Sequence, residues 1–367
     1  MLAAVLPEPG APLQIEEVPI PSPRRGEVLV QVAACGVCHT DLHVMKGEVA
    51  FPTPAVLGHE ISGVVVGLGD GVESVALGTR VIGTFIMPCG DCGECLRARD
   101  DLCERFFAMN RLKGTLYDGE SRLARSDGST LAMYSMAGLA EYSVVPATSV
   151  FALPDAADLE ESAVLGCAAM TGYGAIRHGG ELRGGERIAV LGVGGVGSMI
   201  VQFARATGAL QVVAIDINKE KLDAAKALGA TDVVDASAGD AVAEVVELTG
   251  GGADVVFEVL GRPQTFEQAV AMLRDGGRMV AVGIAPVGAT ASVEITRLVR
   301  RGLQIVGSFG ARPRSDMPLL LSLIERGVFN PSIAITRRYD LAQAAEAYDA
   351  LDRQEIVGRA ILTTGAA

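Results

Sequence analysis

The sequence predicts an α/β chain: a doubly wound parallel sheet joined to a second, mainly antiparallel β domain. Three observations carry this. Across residues 169–309, six short apolar runs alternate with helix-patterned segments, as parallel strands and their crossover helices do. Inside that region a strand-like run leads straight into a G-x-G-x-x-G turn and a helix pattern. Residues 1–168 instead carry short β-rich runs broken by Gly and Pro. The length of 367 residues agrees with two domains at roughly 150 residues each.

In the first region the runs at 27–33, 63–67, 80–84 and 140–145 are read as strands. The tail, residues 310–367, is expected to return to this β domain through a strand at 360–363. In the second region the opening run is 187–191. Gly192, Gly194 and Gly197 follow, with Gly195 inside the turn, then a helix pattern over 198–207 that stops at Gly208. The next run, 212–215, ends in Asp216. Further runs lie at 232–235, 254–259, 279–283 and 303–306, with helical segments at 219–228 and 265–274.

The glycine turn has a physical reading. The first glycine makes a sharp turn, the second removes a side chain that would block a pyrophosphate, and the third lets the helix pack on the strand. The helix N-terminus then faces the phosphate charge. Asp216, nineteen residues past Gly197, stands where a carboxylate would hydrogen-bond an adenosine ribose and repel an additional 2′-phosphate, which favours NAD over NADP. A bare glycine-rich turn without a ligand is the alternative; the flanking strand, helix and acid weigh against it.

The net charge of −13 disfavours nucleic-acid backbones and anionic lipid surfaces as partners. With 49% hydrophobic residues the chain can bury substantial cores. The opening MLAAVLPEPGAP lacks a basic, apolar leader pattern. The longest apolar stretch, 188–204, contains four glycines and falls short of the roughly 20 residues a bilayer requires. The expectation is a cytoplasmic protein.

Seven cysteines, an odd number in a long chain, argue against a disulfide framework. Cys89, Cys92 and Cys95 repeat at C-x-x-C spacing in MPCGDCGECLRARDDLC, and Cys103 closes the segment. Gly90 and Gly93 let the backbone fold tightly enough for the sulfurs to converge. Four thiolates suit a closed structural zinc site; reduced surface thiols or an iron–sulfur cluster are the alternatives. Cys38 in CHTDLH, His59 in LGHE and Cys167 in VLGCAAMTG are scattered. Taken singly, each reads as a buried core residue.

Together these motifs, GVCHTDLH, GHE, the four-cysteine segment, LGCAAMTGYGA, GVGGVG and the final GRAIL, resemble the zinc-containing alcohol dehydrogenases of the medium-chain dehydrogenase/reductase superfamily. The resemblance runs nearly end to end. It implies a GroES-like catalytic domain over 1–168, a Rossmann domain over 169–309 and a return to the catalytic domain over 310–367. It also implies NAD, two zinc ions per subunit, and a small alcohol or carbonyl substrate.

Carried onto this chain, Cys38, His59 and Cys167 are implied as catalytic zinc ligands. Two thiolates and a neutral imidazole would leave a fourth position open, where zinc lowers the pKa of an alcohol. Thr40 and His43 are implied as a proton relay, and Asp41 as the partner that orients His59. Glu60 corresponds to the family's acidic residue behind the metal, with an N-cap or structural carboxylate as the plain alternative. A helix cap is the plain alternative for Thr40. His39 and Arg359 are implied as pyrophosphate contacts and Lys221 as a ribose contact, against a solvated helix lysine. Cys35 and His178 are read as structural.

The segment between Cys103 and Ala140 resembles the insertion of longer animal- and plant-type members, including those acting on glutathione-bound formaldehyde. It favours a dimer over a tetramer, although CHTDLH is closer to the microbial type. The function expected is therefore NAD-dependent alcohol oxidation. A polyol or glutathione-adduct substrate is the nearer alternative, and a non-catalytic zinc- and NAD-binding redox sensor the more distant one.

Overall fold

An eleven-residue strand, Glu27–Val37, organises the first of two units. It pairs antiparallel with Ile61–Leu68 along one side. Along the other side Glu27–Gln31 pairs with Tyr142–Pro146, and Ala34–Val37 pairs with the C-terminal strand Arg359–Thr363. The tail thus closes onto this sheet, which extends to seven strands with Arg80–Gly83, Val150–Ala152 and Ile335–Asp340. Its apolar positions alternate inward, and Val28, Val30 and Val32 are buried, as one face of a pleated strand requires.

The model is a computed structural model that describes residues 1–365. A second sheet in the first unit was not foreseen from sequence. Its order is Gln14–Glu17, Leu2–Leu6, Ala55–Val56, Thr130–Met133 and Leu123–Ala124. The segment after Cys103 therefore supplies two strands and a π-helical turn, Phe106–Arg111, and its Leu123, Leu131 and Met133 are buried.

The second unit, Thr171–Ala311, holds the six-stranded sheet. Its spatial order is Asp232–Asp235, Gln211–Asp216, Arg187–Leu191, Ala253–Glu258, Leu273–Ala281 and Gln304–Gly307, every neighbouring pair parallel. This is the doubly wound arrangement expected. Strand Ala253–Glu258 is buried along its whole length, which is why it reads as a continuous apolar run. One boundary is corrected. The helix expected over 265–274 ends at Ala271, and the strand expected from 279 begins at Leu273. Arg274, Asp275, Gly276 and Gly277 hide that strand: Leu273 pairs with Ala253 before an irregularity, and pairing resumes at Arg278. Among the described residues no helix is long and apolar enough to cross a membrane.

Candidate active site and metal centres

Strand Glu27–Val37 runs directly into Cys38, whose extended backbone (φ −130°, ψ 145°) precedes helix His39–Met45. Across the pairing edge, the turn before strand Ile61–Leu68 presents His59 and Glu60. That turn needs Gly58: its φ is +94°, and a Cβ there would lie 2.6 Å from the Leu139 amide nitrogen. Cys167 follows the 3-10 turn Glu161–Gly166. Gly166 permits the approach, since its Cβ would lie 2.0 Å from the Gly83 carbonyl oxygen.

These elements bring one donor atom each from Cys38, His59, Glu60 and Cys167 within 4.8 Å of one another, and all four residues are buried. His59 Nδ1 lies 3.0 Å from Asp41 Oδ1, so the imidazole donates there and Nε2 is the nitrogen left to take a cation or, without one, a proton. Nε2 is buried without a hydrogen-bond partner, and the nearest carboxylate oxygen, on Glu60, is 3.8 Å away. A buried nitrogen orphaned among two thiols and a carboxylate fits a soft-to-borderline cation such as zinc.

The electrostatics point the same way. The Cys38 thiol is held well below its usual range, first by a hydrogen bond from Cys167, with burial opposing and the charges of His59 and Arg359 assisting. Cys167 is pushed well up by that same bond and by burial. Burial would depress His59, yet Asp41 and the Cys38 sulfur outweigh it and raise its pKa well above normal. Burial pushes Glu60 up to about 7 against the pull of Arg359. Positive charge at the centre of this pocket is what the surrounding groups favour.

The other expected site residues in this unit are placed as follows. Thr40 Oγ1 lies 3.6 Å from Cys38 Sγ, and the helix starts one residue earlier, so a Thr40 cap is ruled out. His43, on the same helix, hydrogen-bonds Glu48 and keeps 38% side-chain exposure. His39 is exposed on the first helical residue. Arg359 is buried and paired with Glu60, which precedes a strand and caps no helix. Cys35 is buried beneath Gly58, and burial pushes its thiol well up, consistent with a structural role. His178 lies in the turn Ala175–Gly179.

The four lobe sulfurs, Cys89, Cys92, Cys95 and Cys103, likewise lie within 4.8 Å of one another. The Cys89 amide donates to Cys103 Sγ and the Cys92 amide to Cys89 Sγ, both at 3.3 Å. Burial pushes Cys95 up to about 12, whereas backbone amides overcome burial at Cys92 and bring it down to about 7. All seven cysteines are free thiols.

In the second unit the glycine turn is built as the spacing implies. Gly192 has φ +90°, and a Cβ there would meet Leu260 at 2.6 Å. A Cβ on Gly197 would lie 2.0 Å from the Gly192 carbonyl oxygen, whereas one on Gly194 would meet nothing within 4 Å. Gly195 opens helix Gly195–Thr207. Asp216 ends its strand with Oδ2 accepting from the Val193 amide at 3.1 Å and Oδ1 from the Ile217 and Asn218 amides at 2.9 and 3.0 Å. Lys221 is half-buried in the first turn of helix Lys219–Ala227, which Asn218 caps.

Four supporting groups escaped the sequence reading. Tyr348 donates to Asp41 Oδ2 at 3.1 Å. Arg314 grips Asp100 and donates to the Cys95 carbonyl at 2.6 Å, bracing the cysteine lobe. Glu258 accepts from the Leu260 and Gly261 amides, both at 2.9 Å. Glu48, five residues past His43, is the one group that local spacing could have suggested.

A family model described as an alcohol dehydrogenase GroES-like domain matches residues 24–155, and one described as a zinc-binding dehydrogenase matches 195–326. An S-(hydroxymethyl)glutathione dehydrogenase of Synechocystis is 35% identical, over 95% of each chain. A solved alcohol dehydrogenase zinc-binding domain protein from Burkholderia ambifaria superposes with a TM-score of 0.94 at 34% identity, covering 99% of this chain and 98% of its own. Benzyl alcohol dehydrogenase from Acinetobacter calcoaceticus gives 0.93 at 30% identity, with the same coverage. End-to-end matches at this level, over both domains and around two donor sets of the right chemistry, establish that the chain belongs to the zinc-containing alcohol dehydrogenases of the medium-chain dehydrogenase/reductase superfamily.

Proposed function

We propose that this protein transfers a hydride between an alcohol and NAD, running in reverse as a carbonyl reductase, with two zinc ions per subunit. The observation that carries the reading is the buried Cys38–His59–Glu60–Cys167 donor set with an unpartnered imidazole nitrogen at its centre. Zinc held there by Cys38, His59 and Cys167 would supply Lewis acidity at a substrate oxygen, and NAD the hydride acceptor.

The chain's own groups do the rest. Asp41 fixes the imidazole tautomer and orientation. Thr40 Oγ1, beside Cys38 Sγ, can accept the proton an alcohol gives up and donate it onward. His43, one helical turn along and paired with Glu48, delivers it to solvent. Glu60 and Arg359 neutralise each other behind the site, and His39 and Arg359 are read as pyrophosphate contacts. Gly192, Gly194, Gly195 and Gly197 would cradle the dinucleotide, with Asp216 and Lys221 on its adenosine ribose; Asp216 supports NAD over NADP. Cys89, Cys92, Cys95 and Cys103 would hold the second, structural zinc. The reading includes a cytoplasmic homodimer; the exposed Ile305 on edge strand Gln304–Gly307, with Ile295 and Val299 exposed on the helix before it, supplies apolar surface for a partner.

A glutathione adduct is the second reading, and Arg111 favours it. Its half-buried guanidinium stacks 4.3 Å over the buried Tyr134 ring, which meets His59 edge-on at 6.2 Å. No carboxylate pairs with Arg111 among the described residues, leaving a cation to meet an anionic substrate.

One experiment addresses both. Metal analysis is expected to give two zinc per subunit in the wild type and one in His59→Ala. The variant's kcat/KM should fall by at least about 10³-fold across primary alcohols, polyols and glutathione adducts tested with NAD and NADP. Selective loss of the adducts in Arg111→Met would choose the second reading. Zinc and NAD binding without turnover of any substrate would leave the redox-sensor function instead.

A further inference from the structure

We propose that Tyr348 is a positioning residue for the Cys38–His59–Cys167 centre: its hydroxyl fixes the carboxylate that in turn fixes the ligating imidazole. The proposal rests on the zinc reading given above. Asp41 is fully buried, and a buried carboxylate requires several donors to hold its charge and orientation. Oδ1 accepts from the Gly58 amide at 3.0 Å, and His59 Nδ1 stands 3.0 Å from both carboxylate oxygens. The remaining dedicated donor is the Tyr348 hydroxyl, 3.1 Å from Oδ2.

Tyr348 sits on helix Ala344–Asp352 and is itself completely buried. Because a carboxylate only accepts, the phenol must donate, and the direction of the bond is set. The three donors hold the carboxylate at both ends. Without the Tyr348 hydroxyl, Oδ2 keeps only the contact it shares with His59, the carboxylate gains freedom to rotate about Cβ–Cγ, and the anchor that aims Nε2 at Cys38 and Cys167 is loosened. A helix more than 300 residues from Asp41 in sequence therefore sets the aim of a ligand in the N-terminal half, which ties the C-terminal tail to metal retention.

The test is Tyr348→Phe, which keeps the ring and removes one oxygen. Chelator competition on the holoenzyme, with the Cys89–Cys103 lobe remaining loaded as internal reference, is expected to show zinc held 10- to 100-fold more weakly at the Cys38–His59–Cys167 centre. Cobalt substituted at that centre should show shifted ligand-field bands. In an Asp41→Asn background, Tyr348→Phe should add nothing further, since both act through one network. Zinc affinity within twofold of wild type, additive losses in the double variant, or equal loss from the lobe would each overturn the proposal by making Tyr348 ordinary packing. A wild-type centre that binds no zinc would instead sink the reading beneath it, a separate result.

Discussion

At the scale of single residues, the site is shaped as much by missing side chains as by present ones. Gly36 is the clearest instance. Its amide donates to the Glu60 carbonyl at 2.8 Å, and a Cβ there would lie 2.2 Å from Glu60 Oε2. Its φ is not in the left-handed region, so the requirement is for space rather than for an unusual backbone. Gly36→Ala should therefore leave the strand intact while forcing Glu60 off Arg359. Overpacking of this kind costs about 1–3 kcal/mol. We expect a lower Tm, zinc retained in the lobe, and kcat/KM reduced by roughly tenfold or more. A variant with wild-type Tm and kcat/KM would show that the Glu60–Arg359 pairing has no bearing on the reaction.

At the scale of elements, the dinucleotide turn separates packing from binding. Gly197→Ala would drive a methyl into the Gly192 carbonyl, so it should lower both Tm and NADH affinity. Gly194→Ala faces open space and should lower only the affinity, because the methyl would occupy room a pyrophosphate needs. NADH fluorescence titration beside thermal melts reads both, and parallel losses in the two variants would refute the distinction. The same turn shows what was legible in the sequence. Turn, helix and Asp216 are local, so spacing reveals them, as it does Cys89 to Cys103. The six parallel strands read as apolar runs, most continuously where both faces are covered, as in Ala253–Glu258; the start of Leu273–Ala281 is masked by Arg274, Asp275 and two glycines. The two strands after Cys103 are only two and four residues long and pair within a sheet assembled from distant segments. Tyr348 and Arg314 carry no signal because their partners lie more than 200 residues away.

At the scale of the whole molecule, an acidic chain must hold distant segments together with few cations. The first unit does so with a network joining the start of strand Glu27–Val37 to the segment after Cys103. Arg122, 4% exposed, meets Glu27 at 2.6 Å and Asp118 at 2.7 Å, and Arg24 meets Asp118 at 2.7 Å and Glu120 at 2.5 Å. Although burial works against it, Asp118 is held down at about 2 by Arg122, the Glu120 amide and Arg24. Glu16 is likewise lowered by its hydrogen bond to Arg125. The sign follows: a carboxylate whose folded pKa lies below its unfolded value stabilises fully at neutral pH. That contribution fades as pH falls through the unfolded value near 4 and is gone below about 2. Arg122→Met removes the central cation at similar length and leaves Glu27 buried without its partner, a loss of about 3 kcal/mol at pH 7. Melting curves of both proteins between pH 7 and pH 2 should therefore converge as the acids protonate. A gap that stayed constant over that range would assign the loss to the packing of the arginine stem rather than to its charge.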